Sequence, residues 1–487
     1  MGLVVLRRNQ RPGPWAAAPP LLDSETSPQP LPGKKGVTQS NSSQPGFLRA
    51  TSSTSVSFNQ VTTAPLPHLL PHDASTRPWP SRRSLAVIFG LALLGRLMAL
   101  LSVVTSHPHN WLFSHPWEMG LLANTLLHGQ GYSSPFGGST GPTAFIAPGY
   151  PTLIAGVFLV FGSDTFAAAL AIMLMHILLS LATIWLMMHI AVEMLDRSTA
   201  TVAGAFWAVS PPLWFIPAIF WESSLSECAL VGIIALVLHY QRAPTTAHWI
   251  LLGSLCGIIA LINPALLFSL LAMLGWLAFQ TRRVSRTAPI IGLLALALVY
   301  APWPIRNAVR FHAFIPLRST VGFEMWMGNR PGATGRLDES IFPMFNRQEL
   351  ASYLQQGEVA YVRGKSREAS DYIRTHPAVF LKLTLRRFFR FWSGTGNIGG
   401  SHTYEIHALL TTVLGFEGLM LVYRKGRRAF AVLMALPLLL FPIPYYITHA
   451  EFRYRLNIDP VLTILAAYAV TQLAAVWSRR KSAAPTA

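Results

Sequence analysis

Residues 85–104 read LAVIFGLALLGRLMALLSVV and follow the basic pair Arg82-Arg83. A helix of about 20 such residues crosses the roughly 30 Å of hydrocarbon in a bilayer. Positive charge before a first span places the N-terminus in the cytoplasm. The stretch therefore predicts a membrane-spanning helix, and it sets the orientation of every later span.

The composition of the whole chain agrees with this interpretation. Of 487 residues, 52% are hydrophobic and 12% are charged, whereas soluble domains carry about 25% charged residues. The net charge is +18, and the basic residues cluster at span ends and in one loop. That distribution favours topology signals and contacts with anionic lipid or phosphate over nucleic-acid binding. Cys228 and Cys256 lie in apolar runs and show neither a disulfide framework nor a metal-binding spacing.

Basic clusters beside the later apolar runs mark further cytoplasmic connections. They predict an all-α polytopic membrane protein with about ten transmembrane helices and both termini inside. The run 149–161 is short and follows Pro148, so we expect an interfacial or re-entrant helix on the outer side. The spans after the first are expected near residues 166–190, 199–215, 222–240, 247–262, 264–280, 288–303, 403–423, 429–448 and 456–477.

This topology divides the chain into five parts. The first part is rich in proline, serine and threonine without apolar periodicity, which predicts disorder. The external segment is rich in arginine, and we expect an amphipathic helix near residues 349–392 to lie on the membrane surface. The parts are a cytoplasmic tail (1–82), a transmembrane core (83–303) with a first outer loop (105–148), an external segment (304–402), C-terminal spans (403–478) and a short cytoplasmic tail (479–487).

Glu118 is the only acidic residue in the first outer loop, where it stands between Trp117 and Met119. A carboxylate close to the bilayer could act as a general base for chemistry on a lipid-linked substrate. The alternative is a structural role, because acids favour the N-terminus of a helix and one is expected to start at about Met119. The two roles can coexist.

Four more charged residues fall at the outer ends of spans. Glu222, beside Trp221, could bind a divalent cation with Glu118 or orient an acceptor; the alternative is a span-end residue paired with an arginine. Arg306, Arg453 and Arg455 could face the phosphate of a lipid, and the alternative is that they anchor lipid headgroups. His449 and other outer histidines lack a metal-binding spacing and receive no assignment.

Five segments, taken in chain order, resemble the GT-C glycosyltransferases, in particular family 39-like bacterial membrane proteins of the dolichyl-phosphate-mannose-protein mannosyltransferase-like or ArnT-like kind. They are Glu118 to Tyr132, Gly141 to Pro151, Phe220 to Leu225, Ala301 to Asn307 with Gly328 to Gly332, and Ala450 to Pro460. The resemblance implies a GT-C-like bundle with external juxtamembrane helices and a small outer segment.

The same resemblance implies a function. It indicates transfer of a sugar from a polyprenyl-phosphate donor to an acceptor hydroxyl, with inversion, at the periplasmic or exterior face of the bacterial inner (plasma) membrane. Glu118 and Glu222 would occupy the two outer acidic positions, with Tyr132 and Glu451 on the substrate side. Many members carry two adjacent acids in the first loop. This chain has a single one, so a bound divalent cation stays an open expectation.

Two other classes of function stay open at this point. Transporters and lipid or polysaccharide flippases often show internal repeats and broken helices at the bilayer midplane. The two halves of this chain show no repeat, and the candidate polar residues gather at one face, which favours an enzyme. An assembly protein with a decayed site is the third alternative.

Overall fold

The computed structural model describes residues 78–106, 118–395 and 402–482. Residues 1–77, which make up most of the predicted disordered tail, lie outside the described residues, as does the loop directly before Glu118. Within the described ranges the chain is helical, and the single pairing outside helices is an isolated antiparallel bridge between Ser133 and Pro142. The expectation of an all-α fold is confirmed.

The α-helices are, in chain order, α1 (Arg82–Ser106), α2 (Glu118–Leu127), α3 (Gly149–Phe161), α4 (Phe166–Met194), α5 (Arg197–Val209), α6 (Pro211–Phe215), α7 (Ser223–Tyr240), α8 (Thr246–Ile262), α9 (Leu267–Thr281), α10 (Ala288–Tyr300), α11 (Pro302–Phe311), α12 (Val321–Gly328), α13 (Arg347–Gln356), α14 (Glu358–Thr375), α15 (Pro377–Ser393), α16 (His402–Arg424), α17 (Arg428–Leu440), α18 (Ile443–Ile447), α19 (Phe452–Leu456) and α20 (Asp459–Ser482).

The number of spans is close to the expected one. Seven helical stretches among the described residues are long and apolar enough to cross a membrane, and nine if two bent pairs each form one span. The pairs are α5 with Pro211–Ala218, bent by 63°, and α10 with α11, bent by 42°. Helix α8 is apolar but has 17 residues, so it is shorter than the helices counted here, and the expected number of ten requires it as a further span. The chain is thus a multi-pass membrane protein.

The ten expected spans would bring one set of connections to the same side. If the chain reverses direction at each span, the end of α1, the start of α7, the α8–α9 connection and the α17–α20 connection share that side. Helices α2 and α3 and the segment after α11 would then lie there too. By the charge pattern this is the predicted outer side.

The short helix α3 anchors the first outer loop. Its buried residues Tyr150, Ile154 and Phe158 pack in one cluster with Met119 of α2 and Phe220, which lies before α7. The opposite side of α3 exposes apolar residues, with Leu159 at 74% and Val160 at 72%. The first turn of α2 therefore packs against α3 and against the residues directly before α7.

The external segment differs from the sequence-based expectation. A single amphipathic helix near 349–392 is wrong, because three helices, α13, α14 and α15, occupy this stretch. Gly357 ends α13 with a φ of 76°, a conformation that favours glycine. Pro377 begins α15, and a proline disfavours helical conformation in the residue before it.

Glu358 fastens this segment to the first outer loop. Its buried carboxylate accepts hydrogen bonds from the backbone N–H of Ala144 at 2.7 Å, from Ser319 at 2.8 Å and from Tyr353 at 2.9 Å, and also from Thr143. A buried carboxylate needs such partners to offset the loss of water. The residues after Thr143 are thereby fixed against the external segment.

The orientation can be tested by labelling. Ser340→Cys, at an exposed position of the external segment, should react with a membrane-impermeant thiol reagent in intact cells. Ser285→Cys, between α9 and α10, should react only after the cells are opened. The wild-type chain, with buried Cys256 and partly buried Cys228, gives the background. Labelling of Ser285→Cys alone in intact cells would reverse the orientation.

Candidate functional site

A cavity of about 180 Å³ lies among the connections that share the predicted outer side, and we call it the outer cavity. Its walls come from the starts of α2 and α7, the α8–α9 connection, the external segment and the residues between α18 and α20. Its polar and charged lining includes Glu118, Glu222, Ser223, Asn263, Arg318, Glu324, Thr448, His449, Arg453, Tyr454 and Asn457. Segments distant in sequence thus contribute charges to one space.

Glu118 is the first residue of α2 and is 3% exposed. Burial raises the pKa of its carboxyl to about 7, because the charged form loses water. A backbone hydrogen bond lowers this pKa, the nearby Glu324 raises it, and Arg453 and Arg318 lower it. The helix-terminal position expected as the structural alternative is therefore present. It coexists with a carboxyl that can exchange a proton near neutral pH.

Glu222 lines the same cavity from the residue before α7. Its Oε2 is buried and has no hydrogen-bond partner among the described residues. Burial raises the pKa of its carboxyl, while Arg318 and Arg453 lower it. The two predicted catalytic acids thus share the outer cavity and the influence of the same two arginines. Their catalytic roles stay predictions.

Arg453 of α19 faces the outer cavity. Its Cζ atom lies 4.0 Å from the ring centroid of Trp221, an arrangement in which the cation lies over an aromatic face. Glu451, predicted on the substrate side, is outside the lining. Its carboxylate accepts a hydrogen bond from the backbone N–H of Leu337 at 3.1 Å, so it holds the external segment near α19.

Arg455 points away from the outer cavity. Its Nη1 lies 2.8 Å from Oδ1 of Asp459, and its Nη2 donates to Thr411 at 2.5 Å. Both charged side chains are 0% exposed. Residues two apart on a helix lie on different faces, which explains why Arg453 and Arg455 separate. The sequence grouped them as one phosphate-binding pair, and the structure brings only Arg453 to the cavity.

Arg306 and Tyr132 lie behind the cavity wall. Arg306 donates to the carbonyl oxygens of Thr143 at 2.6 Å and of Tyr132 at 2.8 Å. The Tyr132 hydroxyl donates to the carbonyl oxygens of Ile146 and Ala147, both at 3.1 Å. Ile146 and Ala147 line the outer cavity. These two predicted substrate-binding residues therefore shape a wall of the cavity through backbone contacts.

Sequence reasoning missed several lining residues. Glu324 is the only acid in the apolar helix α12, VGFEMWMG, and that contrast could have revealed it. Asn263 and Pro264 lie between α8 and α9, where the sequence predicted a break between two spans, but their place in the cavity lining was not predicted. Arg318 is one of many arginines in the external segment, and no sequence signal distinguishes it.

The described side chains also indicate whether the protein could bind a metal ion. Among the described residues, no group of three or more histidine, cysteine, aspartate or glutamate side chains is placed to hold one. Glu118 and Glu222 both line the outer cavity, so two carboxylates could be supplied there. A divalent cation stays an expectation from the sequence.

Comparisons with known proteins find matches among solved structures. Neither a protein-family model nor a curated protein matches it. The Archaeoglobus fulgidus oligosaccharyltransferase in the apo form aligns with a TM-score of 0.48 at 13% identity, over 83% of this chain and 53% of that one. ArnT from Cupriavidus metallidurans bound to undecaprenyl phosphate aligns with a TM-score of 0.35 at 13% identity, over 79% of this chain and 78% of that one.

The Archaeoglobus fulgidus oligosaccharyltransferase AglB, in complex with an inhibitory peptide and a dolichol-phosphate, gives a TM-score of 0.47 at 12% identity, over 84% of this chain and 53% of that one. The chain therefore spans about half the length of the archaeal proteins. A likeness of this degree assigns no activity to the chain.

The two arginines of α19 should respond differently to removal. Arg455→Ala leaves the Asp459 carboxylate buried without its cation, and breaking a buried pair in this way costs about 3–5 kcal/mol. Arg453→Ala, at the cavity surface, should lower the thermal unfolding midpoint in detergent much less. Equal losses of stability in the two variants would contradict this division of roles.

Proposed function

We propose that the chain is a membrane glycosyltransferase that moves a sugar from a polyprenyl-phosphate donor to an acceptor hydroxyl, with inversion at the anomeric carbon. The observation that carries the proposal is the meeting of a buried carboxyl, Glu118, with two arginines in one cavity at the predicted outer ends of the spans. The motif resemblance in the sequence points to the same class.

The first half of the chemistry concerns the acceptor. Its hydroxyl proton passes to the Glu118 carboxylate as the hydroxyl oxygen attacks the anomeric carbon. A base with a pKa near the working pH suits this step, and general base catalysis contributes typically about 10²- to 10⁴-fold. Because the oxygen enters opposite the leaving phosphate, a single displacement inverts the anomeric carbon. Glu222 faces the same space and is proposed to orient the acceptor.

The second half concerns the leaving group. The bond between the anomeric carbon and the phosphate oxygen breaks, and the polyprenyl phosphate leaves with the electron pair and one more negative charge. Fixed cations facing that charge lower the barrier most when water is excluded. Arg453, held over Trp221, and Arg318 are the cations of the outer cavity, and we assign them to the phosphate.

The position of the cavity suits a donor anchored in the bilayer. Apolar residues of the lining, including Tyr150, Trp221 and Ile262, lie next to the spans α7 and α8. A prenyl chain can stay in hydrocarbon while its phosphate reaches Arg453. We therefore propose an active site at the outer face of a bacterial inner membrane, with an acceptor that offers a hydroxyl on a glycan, lipid or protein.

A lipid or polysaccharide transporter is the second candidate, and the bent pairs α5 with Pro211–Ala218 and α10 with α11 favour it. Broken helices often form transport sites near the bilayer midplane. The charges of the outer cavity lie instead at the ends of the spans. Covalent transfer of a labelled sugar from a polyprenyl phosphate by the purified chain would decide for the enzyme, and movement of lipid without transfer for the transporter.

Glu118→Gln tests the base. The variant should insert and fold, because glutamine keeps the shape of the side chain, but it should lose nearly all transfer because it accepts no proton at neutral pH. Glu118→Asp should keep part of the activity. Transfer is measured with a labelled polyprenyl-phosphate sugar, and Glu339→Gln, at an exposed external position, serves as the matched control.

A well-expressed Glu118→Gln protein with full activity would remove Glu118 as the base. The glycosyltransferase assignment would stand, because sugar transfer is still observed, and Glu222→Gln would then test Glu222 as the base. Loss of activity in the Glu339→Gln control would show that the assay reports general damage.

A further inference from the structure

Four side chains of the outer cavity form a continuous polar chain. Nη2 of Arg453 lies 3.3 Å from the Tyr454 hydroxyl, which lies 2.6 Å from Nε2 of His449. Nδ1 of His449 lies 3.1 Å from Oε2 of Glu324. All four residues line the cavity, and they come from α12, from α19 and from the connection between α18 and α19.

The proton positions along this chain follow from its chemistry. A histidine nitrogen close to a carboxylate carries the hydrogen, so we place the proton of His449 on Nδ1, which lies 3.1 Å from Oε2 of Glu324 in a close contact without hydrogen-bond geometry. Burial lowers the pKa of His449 to about 4, so the ring is neutral at pH 7 and Nε2 accepts. The Tyr454 hydroxyl then donates to Nε2, and its oxygen is left to accept from Arg453. The two hydrogen bonds of the chain, Arg453 to Tyr454 and Tyr454 to His449, then each have one donor and one acceptor.

This arrangement keeps the positive charge of Arg453 available. Among the described residues, no carboxylate lies within ion-pair distance of its guanidinium. A direct ion pair would occupy donors that a phosphate needs. Here Tyr454 and His449 separate the carboxylate of Glu324 from Arg453, while Trp221 supports the guanidinium from one face. The side chain is thus held in place without being neutralised.

We propose that Glu324, His449 and Tyr454 form a positioning relay that fixes the Arg453 guanidinium to receive the phosphate of the lipid donor; this rests on the proposed function. A flexible arginine side chain loses rotamer freedom when it binds a ligand, so ordering it before the donor arrives favours binding. The three relay residues act through Arg453 and touch no reacting atom.

The test measures the affinity of the full-length chain in detergent for undecaprenyl phosphate, a probe that carries no sugar. Tyr454→Phe should weaken binding roughly tenfold, the scale of a single hydrogen bond to a charged group, and Arg453→Ala at least as much. The phenylalanine ring keeps the stack on Tyr445, whose centroid lies 4.6 Å away. Tyr361→Phe, which loses a 2.7 Å hydrogen bond from its hydroxyl in α14 to the Glu349 carboxylate of α13, is the matched control and should bind normally.

Three further variants separate positioning from a merely structural role. In the Arg453→Ala background, Tyr454→Phe should weaken binding no further, because a relay that acts through Arg453 has nothing left to position. Glu324→Gln keeps an oxygen that can accept from Nδ1 of His449, so its affinity should stay close to that of the wild type. Glu324→Ala should match Tyr454→Phe.

The outcomes distinguish the relay from the proposed function. If Arg453→Ala weakens binding but Tyr454→Phe and Glu324→Ala do not, the relay is wrong and the donor site stands. If the wild type binds no polyprenyl phosphate, or Arg453→Ala binds as the wild type does, the donor site is wrong and the relay falls with it. Additive losses in the double variant would also overturn the relay.

Discussion

The outer cavity depends on the burial of a few charged side chains at the predicted outer ends of the spans. A buried carboxyl is costly in its charged form, so Glu118 at 3% exposure holds its proton to about pH 7. The arginines Arg318 and Arg453 oppose this effect, and Glu324 strengthens it. The packing of α2 on α3 and the fastening of the external segment by Glu358 keep these charges together. A carboxyl with a pKa near neutral follows from that balance.

The two arginines of α19 lie within one helical turn but have different surroundings. Arg455 is fully buried and pairs with Asp459 at the start of α20. This contact fixes α19 between two elements of the bundle. Arg453, two residues earlier, is thereby turned toward Trp221 and the outer cavity. A short segment of regular helix thus lets one charge anchor the helix while the other faces the space where a phosphate is proposed to bind.

Much of the fold could be predicted from the sequence, because long apolar runs must cross the bilayer and basic residues mark their inner ends. The same alternation correctly predicted that the segments of Glu118, Glu222 and Arg453 share a side. It could not predict that Arg306 and Tyr132 bond backbone carbonyls, or that Glu324 and Arg318 enter the cavity, since these depend on packing between distant segments. The amphipathic pattern predicted a single external helix, whereas Gly357 and Pro377 divide that stretch into three helices.

The pH dependence of a single turnover of sugar transfer, with saturating labelled donor, tests the central claim most directly. We expect the rate to rise with pH along one acidic limb with a midpoint near 7, because the ionised Glu118 is the form that accepts the proton. In Glu324→Gln the midpoint should move to lower pH, because the negative neighbour that raises the Glu118 pKa is gone. A rate that is flat from about pH 5 to pH 9, or a limb that Glu324→Gln leaves in place, would contradict this account.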